Sequence, residues 1–224
     1  MPTLLDKKKK YLQIALNSTP EEGEEIISQL PSSDRIIIEA GTPLIKAYGV
    51  DGIRRLKEAW QYQAETDVYI VADTKCMDRG KTEVEIARSG RASAATALGA
   101  APIETINYFI SSCEDLGLDS MVDMIGVEQP IKVFRKLKKM PNVVILHRGV
   151  DEEAFDKNKP IPYLQINKIR SSFNTMISIA GGDTIREVQR AIFNDADIVV
   201  VWKNFYSPAS NTGQLAEEFL KEIK

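Results

Sequence analysis

Ionisable and polar residues stand at the ends of apolar runs, where a core strand has no structural use for them. In VYIVADTKCMD (68–78) the run ends at Asp73, with Lys75 two residues and Asp78 five residues further on. A carboxylate or an ammonium in such a place is costly to desolvate unless it is paired, bound to metal or used in chemistry. The arrangement recurs: Asn17 ends LQIALN, Glu39 lies in RIIIEA, Asp123 in SMVDMI, His147 ends VVILH, Gly181 and Gly182 end ISIAGG, and Lys203 follows IVVVW. Carboxylates beside an ammonium suit ion pairing, metal binding or charge stabilisation. His147, the only histidine, carries the side chain whose unperturbed pKa lies nearest neutrality.

The elements that would position these residues follow from the pattern around them. Apolar, β-rich runs recur at 11–17, 34–40, 68–73, 92–98, 119–125, 142–147, 176–182 and 197–202. Several are continuous and not alternating, as expected of strands covered on both faces. Between them lie segments with apolar residues near helical spacing. TPEEGEEIISQL (19–30) opens with Thr19 as a cap, Pro20 and acidic residues, each favourable at a helix N-terminus. Segments 49–63, 81–90, 101–117, 129–141, 183–195 and 210–224 read similarly. Strict alternation with about eight strands predicts an α/β protein of the (β/α)8 TIM-barrel type, as one domain over 1–224. Residues 1–10, with the basic run Lys7 to Lys10, read as a solvated leader. The stretch 151–172 reads as an insertion before the seventh strand, a helix interrupted by a loop, serving either as a flap or as a surface excursion. In barrels of this kind chemistry gathers at the carboxyl ends of the strands, where the residues above fall.

Composition narrows the function classes. The 224 residues are 43% hydrophobic and 27% charged with a formal net charge of −3, so nothing global recommends a nucleic-acid partner. No apolar run approaches the ~18 residues of a membrane span, and the N-terminus lacks a signal-peptide core, so no membrane partner is expected. Cys76 and Cys113 lie far apart and outside any zinc-ligand spacing. They argue against a disulfide framework and for a reducing, cytoplasmic setting.

The stretches LQIALN, IEAGTPLIKAYG, VADTKCMD with its D-x-K-x-x-D pattern, TALGAAPIETI, MVDMIGVEQP, LHRGVDE and IAGG follow one another over roughly residues 11–182. Together they resemble the family that contains 3-hexulose-6-phosphate synthase and 3-keto-L-gulonate-6-phosphate decarboxylase, within the orotidine 5′-monophosphate decarboxylase superfamily. The resemblance implies a ribulose-phosphate-binding β/α barrel, a homodimer with active sites at the interface, and a sugar-phosphate substrate. It implies Mg2+ held by Glu39 and Asp73, since orotidine-phosphate decarboxylases have a lysine at position 39 and need no metal. The alternative for this pair is a salt-bridged support of the barrel mouth. Lys75 would donate to a developing oxyanion or position a substrate hydroxyl, and Asp78 would reach the partner subunit's site; alternatively Asp78 caps a helix and pairs with Lys75. His147 would move protons, and Arg148 would contact a substrate anion or hydroxyl. Asn17, Gly181, Gly182 and Lys203 would bind substrate, and Asp123 would support Lys75 or another polar group. The implied activity is that of a carbon–carbon lyase, an aldolase interconverting 3-hexulose 6-phosphate with ribulose 5-phosphate and formaldehyde through an Mg-stabilised enediolate.

Three departures from the family pattern involve four positions. Asn17 stands where an aspartate is usual, which keeps hydrogen-bonding capacity and removes a charge. Asp183 follows Gly181 and Gly182, either as a helix cap or as a charge opposing phosphate. Trp202 and Lys203 replace a Gly-Arg pair, losing the residue without a side chain and the bidentate guanidinium, though Trp202 is equally readable as core. These departures keep a second class open: a barrel that has lost or changed its activity and serves as a ligand-binding or assembly subunit. A keto-sugar-phosphate or orotidine-phosphate decarboxylase is the further alternative.

Overall fold

Eight parallel strands close into a barrel in the computed structural model, which describes residues 2–65, 67–206 and 211–223. The strands are β1 (Tyr11–Leu16), β2 (Ile36–Ala40), β3 (Ile70–Cys76), β4 (Ala94–Leu98), β5 (Asp119–Asp123), β6 (Val143–His147), β7 (Met176–Ala180) and β8 (Ile198–Val201). Each pairs with the next, and β8 returns to β1. The helices between them are α1 (Pro20–Ser28), α2 (Thr42–Ala64), α3 (Gly80–Ser89), α4 (Ile103–Leu116), α5 (Pro130–Phe134), α6 (Val150–Phe155), α7 (Leu164–Arg170) and α8 (Ile185–Phe193), with α9 (Thr212–Glu222) after β8.

The alternation of side chains along each strand explains where the apolar and polar layers lie. Outward residues such as Leu12, Ile14, Leu16, Ile36 and Ile38 join Trp60, Phe109 and Phe219 of the helices in the main core. Inward residues Ala15, Ile37, Val71, Ala94, Met121, Ile145 and Val200 form a second apolar cluster inside the barrel. Two residues further along, the inward positions of the seven strands other than β7 are Asn17, Glu39, Asp73, Thr96, Asp123, His147 and Trp202. The period of two that fills the barrel's middle therefore places the polar residues together at its carboxyl end.

The structure corrects three expectations. The leader is docked and not free: Leu5 is buried in the inner cluster, and Thr3 Oγ1 and Leu4 N donate to Asp119 at 2.8 and 3.0 Å, closing the amino end of the barrel. Lys9 and Lys10 pair with Asp34 and Asp195. The second helix starts at Thr42, and Gly49 is a kink inside it, with φ 58° and ψ −140°. The fifth helix is five residues long, not the span 129–141. Lys136 N and Leu137 N donate only three residues back, a 3-10 pattern, within the basic run Arg135, Lys136, Lys138 and Lys139, of which Lys139 pairs with Glu114 of α4. The stretch 151–172 carries most of α6 and all of α7, joined by a loop with Pro160 and Pro162.

Asp119 tests the docked segment. It is fully buried and also accepts from Tyr69 Oη at 2.7 Å, so Asp119→Ala leaves three donors without their acceptor. Urea denaturation should show a loss of about 2–4 kcal/mol. A loss below about 0.5 kcal/mol, the range of ordinary surface substitutions, would show that the segment contributes nothing to closing the barrel.

Candidate active site

A cavity of about 800 Å3 opens at the carboxyl ends of the strands. Its lining includes Asn17, Glu39, Asp73, Lys75, His147, Arg148 and Gly181 of the sequence-derived set. Asp78, Gly182 and Lys203 are not among its lining residues. Asp78 is exposed, and Lys203 turns to Glu153.

The floor is built on an irregular β3. Between Ala72 and Cys76 its register against β4 shifts, so that four residues of β3 span two of β4, and Lys75 takes a left-handed φ of 45°. Bulges of this kind re-aim side chains next to active sites. Lys75 N donates to Thr96 Oγ1 at 2.9 Å, and that hydroxyl donates to Asp73 Oδ1 at 2.7 Å. Thr42 Oγ1 donates to Asp73 Oδ2 at 2.7 Å. Lys75 Nζ lies between two carboxylates, 2.8 Å from Asp73 Oδ2 and 3.1 Å from Asp123 Oδ2. It does not pair with Asp78, which removes that alternative.

Asp123 is the hub. Its Oδ2 also meets His147 Nδ1 at 2.8 Å, and its Oδ1 accepts from Ile125 N at 2.9 Å. With Nδ1 held by this carboxylate, a neutral His147 keeps its lone pair on Nε2. Burial works against charge throughout the group, and the pairings outweigh it. Asp123 is pulled below the ordinary carboxylate range by His147 and Lys75, despite complete burial. His147 is raised because the charge and hydrogen bond of Asp123 exceed the cost of its burial. Lys75 is raised above the ordinary lysine value by Asp73, Asp123 and Glu39, again against burial.

Glu39 is the least comfortable member. Burial first, and then the charge of Asp73, raise its pKa; Lys75 and a hydrogen bond from Gln13 Nε2 offset this only in part. Gln13 Oε1 is buried with no partner among the described residues. A cation touching these oxygens would relieve both conditions. Among the described residues no group of three or more His, Cys, Asp or Glu could hold a metal. Any ion here would therefore rely on two carboxylates completed by water or ligand oxygens, a pattern that Mg2+ favours.

Close backbone contacts fix the rim. A Cβ on Gly41 would lie 2.0 Å from Asn17 Oδ1, so the carboxamide packs directly over that glycine. Gly181 has φ 99°, and a Cβ there would lie 2.3 Å from Arg148 O; both facts call for glycine. Arg148 Nη2 donates to Gly181 O and faces Glu153 and Glu187 at 3.3 and 3.4 Å. Asp183 is not the cap of α8. Thr184 is, in a capping box with Glu187, which frees Asp183 to accept from the N–H groups of Trp202 and Lys203. Trp202 lines the cavity and also packs on the inner cluster. Gln13, Thr42, Thr96 and Glu153 escaped the sequence analysis. Gln13 and Thr96 were findable, as polar residues at the inward parity of apolar strands.

Comparison with known proteins agrees with this geometry. The model of the orotidine 5′-phosphate decarboxylase / HUMPS family matches residues 10–207. A relative is the bifunctional enzyme Fae/Hps of Methanocella arvoryzae, 36% identical over 219 residues, covering 96% of this chain and 53% of that protein. The chain thus spans about half the length of the curated relatives it matches. Among solved structures, 3-hexulose-6-phosphate synthase from Salmonella typhimurium superposes with a TM-score of 0.82 at 25% identity, covering 95% of this chain and 98% of that one. Another 3-hexulose-6-phosphate synthase gives 0.80 at 28%, covering 96% and 100%. With its barrel, its D-x-K bulge and a family model spanning nearly the whole chain, this protein belongs to the orotidine 5′-phosphate decarboxylase / HUMPS family.

Proposed function

We propose that the chain is a 3-hexulose-6-phosphate synthase-type aldolase, cleaving 3-hexulose 6-phosphate to ribulose 5-phosphate and formaldehyde and running the reverse addition. The observation that carries this reading is the linked group Asp73, Lys75, Asp123 and His147 beside Glu39 on one cavity floor. The similarity to the hexulose-phosphate synthases supports it.

Glu39 and Asp73 would hold Mg2+, with Gln13 Oε1 nearby as a further oxygen. Bound there, the ion supplies a Lewis acid for the oxygens flanking a ketose carbonyl. Lys75 is a preorganised cation whose position two carboxylates enforce, so charge developing on a substrate oxygen is met without reorganisation. His147, oriented by Asp123, takes and returns a proton through Nε2 as the hydroxymethyl carbon leaves or adds. Ile125, Ile145, Val150 and Val200 line the cavity and limit water at the reacting carbons. Arg148 and the Gly181–Gly182 turn receive the distal end of the substrate. Asp78, exposed outside this chain's own cavity, is available to the site of a second copy in a homodimer. The two free, buried cysteines support a reducing, cytoplasmic setting, and among the described residues no helix is long and apolar enough to cross a membrane.

Formaldehyde release from 3-hexulose 6-phosphate should require divalent ion, vanish with chelator and return with Mg2+; a folded protein inactive in both states defeats the reading. His147→Asn should lower kcat about 10^2- to 10^4-fold, and Lys75→Ala roughly 10^2- to 10^3-fold, in steady-state assays. The single histidine can be titrated by NMR without assignment ambiguity. Its pKa should lie above the ordinary value and drop in Asp123→Asn, since the raising carboxylate is gone while burial remains; an unchanged titration would remove Asp123 from the mechanism. Mixing inactive Asp78→Asn with inactive His147→Asn protein should restore activity if Asp78 serves the partner's site, and restore none if it does not.

A further inference from the structure

Four backbone donors after β7 and β8 already have anionic partners, and the chain itself supplies them. Asp183 Oδ1 accepts from Trp202 N at 2.7 Å and from Lys203 N at 3.2 Å. Glu187 Oε2 accepts from Asp183 N at 3.0 Å and from Thr184 N at 3.1 Å. In β/α barrels the loops after strands seven and eight, with a following helix N-terminus, are a frequent phosphate site. Here two carboxylates stand among those donors.

Local charge points the same way. Arg148 and Lys203 face Glu153, Asp183 and Glu187, two cations against three carboxylates. A phosphate dianion approaching this arrangement meets net negative surroundings and amides whose hydrogens are taken. An unsatisfied donor beside the cavity is a second, independent observation. Arg148 is 8% exposed and lines the cavity, yet its buried Nε–H has no partner among the described residues. Such an orphan is costly unless something arrives to accept from it.

We infer that Asp183 is a resident anion at the distal subsite, one that the substrate phosphate must displace, and that this residue sets how tightly the phosphorylated end is held. The inference rests on the sugar-phosphate reading and deepens it. Lys203 Nζ lies 3.8 Å from Asp183 Oδ2, so a cation is at hand to receive the carboxylate when it gives up the two amides. The displaced carboxylate remains paired, and the phosphate gains two N–H donors.

The test is calorimetric titration of inorganic phosphate, and separately of ribulose 5-phosphate, into the wild-type protein, Asp183→Asn and Asp183→Gly. Asn keeps an acceptor and removes the charge, and should tighten phosphate several-fold. Gly vacates both amides and should tighten it roughly tenfold or more, given the strength of charge-assisted bonds. An equal gain for ribulose 5-phosphate places the effect at the phosphate end. Unchanged or weaker phosphate binding by the folded variants overturns the inference and leaves Asp183 a structural partner of the two amides after β8; if Gly fails to fold, Asn alone decides. Phosphate binding requires no turnover. A variant that binds phosphate more tightly while the protein releases no formaldehyde would sink the aldolase reading and leave this one standing.

Discussion

Asp123 holds two positive partners on one oxygen, the Lys75 ammonium and the His147 imidazole, and the rest of the site is arranged around that contact. A fully buried carboxylate is stable only when its charge is answered. Lys75 answers Asp73 at the same time, so the four side chains form one connected group. Losing a member leaves its neighbours charged and unpaired in the barrel interior, where the penalty is greatest. This mutual dependence fixes side chains that would otherwise be free to rotate, and preorganisation of that kind is what charge stabilisation in an active site needs. The backbone contributes as well: the shifted register in β3 and the left-handed φ at Lys75 bring lysine and aspartate from one strand to bear on the same point.

The two ends of the cavity follow opposite electrostatic rules. On the floor, Lys75 and His147 are surrounded by carboxylates that raise their proton affinity, and Glu39 is left with a raised pKa that a divalent ion would reverse. At the rim, carboxylates are the ones engaged: Glu153 with Arg148 and Lys203, Asp183 with backbone N–H groups, and Glu187 with the start of α8. Burial raises the Asp183 pKa while those two N–H bonds and Lys203 hold it down. The floor therefore holds cations between carboxylates, and the rim holds carboxylates against cations and backbone N–H groups.

Much of this was legible in the chain. Eight apolar runs, each ending near a polar residue, imply a barrel and point to its carboxyl face, because strand period and barrel closure follow from local pattern. Glu39, Asp73, Lys75, Asp123 and His147 were found in this way. Gln13 and Thr96 were overlooked because a neutral polar residue in a strand draws less notice than a charge, although both have the inward parity. Asp183 illustrates the limit of local rules. Its position before a helix suggests a cap, yet Thr184 one residue later takes that role, and the two arrangements differ only in where a side chain turns. The leader failed for a related reason: four lysines suggest solvent, while the buried acceptor that ties Thr3 and Leu4 down lies 115 or more residues away in β5.

The amino-acid sequence by itself determined the barrel, the layer in which the polar residues gather, and the residue types available for chemistry, since these depend on periodicity and composition. Tertiary structure alone decided the pairings: that Lys75 turns to Asp73 and Asp123 and not to Asp78, that His147 is held through Nδ1, and that Asp183 occupies the amides after β8. Such choices depend on distances between strands far apart in the chain. Coulomb energy and hydrogen bonding respond to those distances, and no local pattern encodes them.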